Sequence, residues 1–167
     1  MLHNFFIRTF FPFLLLIFWG LNCQANTIYG IVVAVADGDT ITVLDTNKQQ
    51  HKIRLLGIDA PEKNQNFGDR SKRSMSDLVY KKQVVVDVIK KDRYARSLGK
   101  VMINGKDANL EQVKLGLAWH YKHYQRDQSP TDRLLYSEAE KFSKNQKIGL
   151  WQDKNPMPPW EFRRTKK

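Results

Sequence analysis

The chain has 167 residues, with 28 Lys and Arg against 17 Asp and Glu, for a formal charge of +11. That length suits one domain with a modest core, and that charge argues for a polyanionic partner, either nucleic acid or anionic lipid. A single cysteine, Cys23, excludes a disulfide framework and a thiolate metal cluster.

Residues 1–25 read differently from the rest. Arg8 supplies a weak positive region, and an apolar run over 10–19 is broken once by Pro12. The run is shorter than the roughly 20 residues of a membrane span. Cys23-Gln24-Ala25 then offers small residues for cleavage, so a secretory signal peptide is expected, with an uncleaved membrane anchor as the alternative. Cleavage would leave no cysteine and lower the charge to +10. The mature protein is expected to be secreted or periplasmic, monomeric, and held together by packing alone. Membrane contact would arise only if this segment stayed attached.

From residue 26 the chain is rich in β-branched residues. "IYGIVVAV" (28–35) reads as a buried strand and "TITVL" (40–44) as a half-buried one. Asp37-Gly38 between them is a hairpin signal, on the reading that Gly tolerates positive φ. "HKIRLLGI" (51–58), "VVVDVI" (84–89) and "LGKVMI" (98–103) read as three more strands, and Asn104-Gly105 as a further turn.

Three helices interleave. Over 69–82, Met75, Leu78 and Val79 share a face. Asn109 is expected as an N-cap with Gln112 three residues on. The last helix starts with Ser129 as cap and Pro130 in its first turn; Leu135, Ala139 and Phe142 form its stripe, and Gly149 is the expected stop. The segment 154–167 is Pro-rich and basic, and is expected to be an extended tail in which Trp160 and Phe162 can dock on the body. The expected fold is α+β, a five-stranded OB-type β-barrel with three packed helices.

The acids carry the chemistry. Asp37 and Asp39 flank a tight turn, and Asp59 and Glu62 follow the third strand. Carboxylates brought together repel unless a cation sits among them. Oxygen ligands without His or Cys suit a hard ion, Ca²⁺ or Mg²⁺. Arg54 lies five residues before Asp59, and Arg96 enters the fifth strand. Guanidinium groups near a hard ion fork onto phosphate oxygens, stay charged at any working pH, and are poor proton donors. Carboxylates, hard ion and arginines together point to phosphoryl rather than acyl chemistry.

"ADGDTITV", "IRLLGIDAPE" and "DRYARSLGKV", in that order and spacing, resemble the staphylococcal nuclease family, and the resemblance runs from about Tyr29 to Trp151. It implies an OB-fold domain over 26–153 and a Ca²⁺-dependent endonuclease that acts on DNA and RNA and leaves 3′-phosphate ends. By the resemblance, Asp39 and Asp59 are calcium ligands and Ala60 supplies a backbone carbonyl where the type protein has threonine. Arg54 and Arg96 match the phosphate-clamping arginines and Glu62 the catalytic glutamate. Tyr94, with Arg93 beside it, matches a nucleotide-contacting tyrosine, and Tyr124 is a candidate for base stacking. Ala95 stands where the family has glycine, and the loop after Glu62 is shorter.

Other residues have blander readings. Trp119 is expected in the core. His120 and His123 lack the acidic or cysteine partner that a metal pair needs. Lys81-Lys82, Lys90-Lys91 and Arg163-Arg164 are expected to be solvated patches that aid salt-sensitive backbone binding. The rival readings are a noncatalytic OB-fold nucleic-acid binder and a membrane-surface protein. Retention of all five acid and arginine positions favours the enzyme.

Overall fold

The β-branched segments pair into a closed barrel. The computed structural model describes residues 26–165, so the expected signal segment lies outside the described residues. β1 (Asn26–Asp37) pairs antiparallel with β2 (Thr40–Asp45), and β2 pairs antiparallel with β3 (Gln50–Leu55). Short β4 (Ile58–Asp59) and helix α1 (Gly68–Val79) follow. β5 (Gln83–Lys91) returns antiparallel to β1, and β6 (Ser97–Ile103) antiparallel to β5. A parallel pairing of β3 with β6, Arg54 opposite Leu98, closes the five-stranded ring. β1 can serve both halves because it carries register shifts between Val32 and Ala34 and between Val35 and Asp37, which bend a long strand.

β7 (Lys106–Asp107), α2 (Ala108–Lys114), β8 (Trp119–His120), α3 (Pro130–Asn145) and α4 (Pro159–Thr165) complete the described chain. Val32, Ile41, Val43, Ile53, Val86 and Val101 fill the barrel without exposure, and Met75, Val79 and Val113 cover it from α1 and α2. Asn104 and Gly105 have φ of 47° and 75°, the geometry of a hairpin turn that needs positive φ at both central positions.

Several details differ from the sequence expectation. The third strand stops at Leu55, because Gly57 has φ +76° and a Cβ there would lie 2.2 Å from the Gln128 amide. The break lets Asp59 pair with Trp119 instead of continuing the sheet. The N-cap of α2 is Asp107, whose side chain accepts from Leu110 N at 3.0 Å. Asn109 sits inside α2, fully buried, where it accepts from Val101 N and donates to Leu56 O and Gly99 O.

α3 turns a different face inward. Tyr136, Glu140 and Ser143 are buried, whereas Leu135 and Phe142 are exposed. Tyr136 donates to Asp107, Glu140 accepts from His120 N, and Ser143 donates to Val113 O, so hydrogen bonding sets the rotation. The Ser129 cap is as expected, but the helix ends at Asn145, and Gly149 instead opens a short 3₁₀ turn.

The tail is helical rather than extended. Pro159 occupies the first position of α4, where its missing N–H costs nothing. The Trp160 ring stacks on Tyr121 at 5.2 Å and meets Trp119 edge-on at 5.6 Å. Gln65 Nε2 donates to Met157 O at 2.6 Å, fastening the segment that leads into α4. Trp119 is consequently half-buried between Trp151 and Trp160.

Candidate active site

The turn after β1 is pinned from below. Asp39 N donates to Asp37 Oδ1 at 3.0 Å. Gly38 is needed there for space rather than for backbone freedom: its φ is not positive, but a Cβ would lie 1.8 Å from Ser71 Oγ and 2.8 Å from Ala60 Cβ. Gln112 of α2 donates to Gly38 O and to Ser71 O. Helices α1 and α2 therefore fix the rim that carries Asp39.

At that rim Asp39 and Asp59 flank one guanidinium. Asp39 is 1% exposed and Asp59 fully buried. Arg54 contacts Asp39 Oδ1 through Nη1 and Asp59 Oδ1 through Nη2, the latter at 2.6 Å. Asp39 Oδ2 accepts from Ala60 N at 2.6 Å. Thus β2, β3 and β4 bring the two buried acids, Arg54 and Ala60 to one place. Glu62, just beyond, joins through a different arginine. Arg163 of α4 places Nη1 2.7 Å from Glu62 Oε1 and Nη2 2.8 Å from Asp59 Oδ2. Burial opposes the Arg163 charge, but its hydrogen bonds to Asp59 and Glu62 outweigh this and hold the guanidinium firmly protonated.

The loop between β5 and β6 carries a second cationic group. Arg96 reaches Asp92 Oδ2 through Nε at 2.8 Å and Nη2 at 2.7 Å. Burial works to raise the Asp92 pKa, but the hydrogen bonds from Arg96 and the backbone outweigh it and hold the carboxyl below its usual range. Arg93 and Arg96 lie over the exposed Tyr94 ring at 5.0 and 5.5 Å. Ala95 has φ 58°, a left-handed backbone that costs a non-glycine residue roughly 1–2 kcal/mol. Arg96 is not brought into contact with Asp39, Asp59 or Glu62; its charge partner is Asp92.

Tyr124 is half-exposed and packs against Tyr121 at 5.2 Å. Burial pushes the Tyr121 phenol up, and the charge of Asp59 adds to the shift. The two histidines diverge. His120 is buried, with Nε2 2.9 Å from Gln128 Oε1, and burial lowers its pKa. His123 instead packs on Tyr121 and Tyr124. A cavity of about 340 Å³ opens beside Pro61, between Phe67, Trp119, Met157 and Phe162.

Residues 52–153 match the family model described as a staphylococcal nuclease homologue. The chain belongs to the staphylococcal nuclease family. A protein of Haemophilus influenzae named an uncharacterized endonuclease is 44% identical over 155 residues, covering 92% of this chain and 84% of its own. An Escherichia coli protein with the same description is 43% identical over 162 residues, covering 96% and 100%. A micrococcal nuclease of Shigella flexneri is 41% identical over 147 residues, covering 83% and 82%. Together these support a hydrolase, an endonuclease with nucleic-acid substrates.

Within this family member the site's donor set is oxygen only. Among the described residues, no three His, Cys, Asp or Glu side chains stand together as a ready metal shell. The buried carboxylates of Asp39 and Asp59 are oxygen donors, the chemistry that suits a hard ion rather than a soft one. One residue that the sequence reading missed reaches these acids. Arg163 looked like half of a solvated basic pair. The available signals were Pro159, which can start a helix, and the i,i+3 spacing of Trp160 and Arg163, which puts an aromatic anchor and a cation on one face.

Proposed function

We propose that the protein is a Ca²⁺-dependent endonuclease that hydrolyses phosphodiester bonds of DNA and RNA with little sequence preference and leaves 3′-phosphate ends. The observation that carries this reading is the convergence of Asp39 and Asp59 on Arg54, with Glu62 alongside, at one rim of the barrel. Family membership supports it independently.

Asp39, Asp59 and the Ala60 carbonyl would hold Ca²⁺. When bound, the ion supplies charge neutralisation at a phosphate oxygen. The remaining work falls to side chains. Glu62 accepts a hydrogen bond from the attacking water and orients it or takes its proton. A bond forms between water oxygen and phosphorus, the bond to the 5′-oxygen breaks, and the phosphate stays on the 3′ side. Arg54, after exchanging its contacts with Asp39 and Asp59 for phosphate, donates its fork to the equatorial oxygens as their charge grows. Arg96 does the same after exchanging Asp92 for phosphate. Tyr94 and Tyr124 offer ring faces to the substrate strand, and Arg93 adds charge at its edge. Export through residues 1–25, to the periplasm or the medium, belongs to the same proposal.

The test is to incubate the protein with plasmid and with RNA in Ca²⁺, in Mg²⁺ and in EDTA. Both polymers should be cut in Ca²⁺, EDTA should stop cleavage, and the products should resist polymerase extension until treated with phosphatase. Binding of nucleic acid without cleavage under any ion would make the protein a noncatalytic binder and overturn the proposal.

A further inference from the structure

Arg163 comes to the acids from the far end of the chain, 104 residues from Asp59 and 101 from Glu62. Its fork is fully engaged. Nη2 lies 2.8 Å from Asp59 Oδ2, and Nη1 lies 3.2 Å from Asp59 Oδ1 and 2.7 Å from Glu62 Oε1. Asp59 has no exposure, and a buried carboxylate must be neutralised at close range. Arg54 meets only Oδ1 of that carboxylate; the partner of Oδ2 is Arg163. The Arg163 side chain remains 43% exposed, so it can leave without crossing the core. Its helix is seated by Trp160 on Tyr121 and by Gln65 on Met157 O, so the group is delivered to the site rather than swept past it.

We infer that Arg163 is a positioning residue of this active site, one that holds the Asp59 and Glu62 carboxylates and competes with a divalent cation for Asp59. The inference rests on the proposed metal-dependent hydrolysis and adds to it a residue from outside the matched segment 52–153. The physical case is direct. An ion that takes Asp59 Oδ2 must displace Nη2 or accept a positive neighbour, and either lowers its affinity. Removing the guanidinium leaves part of a buried charge uncompensated, and a divalent cation is the group that can restore neutrality. Glu62 loses its tether at the same step and becomes free to turn toward water.

Calorimetric titration of Ca²⁺ into the wild-type chain, Arg163→Gln, Arg163→Lys and Arg164→Gln tests this. Arg163→Gln should bind Ca²⁺ about fivefold more tightly than wild type, as loss of a half-exposed competing pair implies. Arg163→Lys should fall between the two, because an ammonium cannot fork across both carboxylates. Arg164→Gln removes the same charge from the same helix and should gain at most about twofold. Affinity unchanged in Arg163→Gln, or raised equally in Arg163→Gln and Arg164→Gln, overturns the inference and leaves the ion site standing. A wild-type chain that binds no Ca²⁺ overturns both the inference and the ion site of the proposed function.

Discussion

Arg54→Ala is expected to destabilise the ion-free protein by about 3–5 kcal/mol, the range for breaking a buried ion pair from one side. The guanidinium is the shared partner of Asp39 and Asp59, which are 1% and 0% exposed. Without it, two like charges face each other across a buried rim, with Arg163, the Ala60 amide and the Thr40 hydroxyl against them. Urea unfolding in EDTA should show the loss. Adding Ca²⁺ should return part of it, because the ion binds the folded rim more tightly than the unfolded chain. Turnover measured at saturating Ca²⁺ should still fall by about 10²-fold or more, since the phosphate has lost a preorganised donor pair. Stability unchanged in EDTA would mean that the two acids do not depend on Arg54.

Glu62→Gln should separate chemistry from folding. The side chain is partly exposed and keeps its shape, and a glutamine oxygen can still accept from Arg163 Nη1. Stability should therefore change by less than about 0.5 kcal/mol, as for ordinary surface substitutions. The amide cannot take a proton, so kcat should drop by about 10²–10⁴-fold, with KM and Ca²⁺ affinity little altered. Full turnover in this variant would remove Glu62 from the reaction. The contrast with Arg54→Ala is informative because Arg54 holds two buried aspartates, whereas the Glu62 carboxylate pairs with a half-exposed arginine.

Much of this was legible in the sequence, and the exceptions share a cause. Strand positions follow from alternation and β-branching, and the turns from Asn-Gly and Asp-Gly, because those signals are local. The convergence of Asp39, Arg54 and Asp59 was expected from motif resemblance and depends on register, with Thr40 opposite Arg54 on β2 and β3. The failures involve polar groups whose partners lie far away in sequence. α3 buries Tyr136, Glu140 and Ser143 in place of Leu135 and Phe142, with only Ala139 of its expected stripe packed on the core, since each buried group finds a hydrogen-bond partner on another element. Asn109 caps nothing and instead ties β6 to the turn after β3. Gly38 is a spacing requirement of Ser71, invisible until α1 is in place. Arg163 is the extreme case: its partners lie more than a hundred positions away, and its local context reads as solvent-facing charge.

The most direct test of the ion-centred rim is a crystal structure of the protein grown with Ca²⁺, with anomalous scattering used to locate the ion. One site should appear, bound by carboxylate oxygens of both Asp39 and Asp59, with Glu62 facing a water on it. Calcium bound by only one of these aspartates, or located at other acids of the surface, would contradict the account.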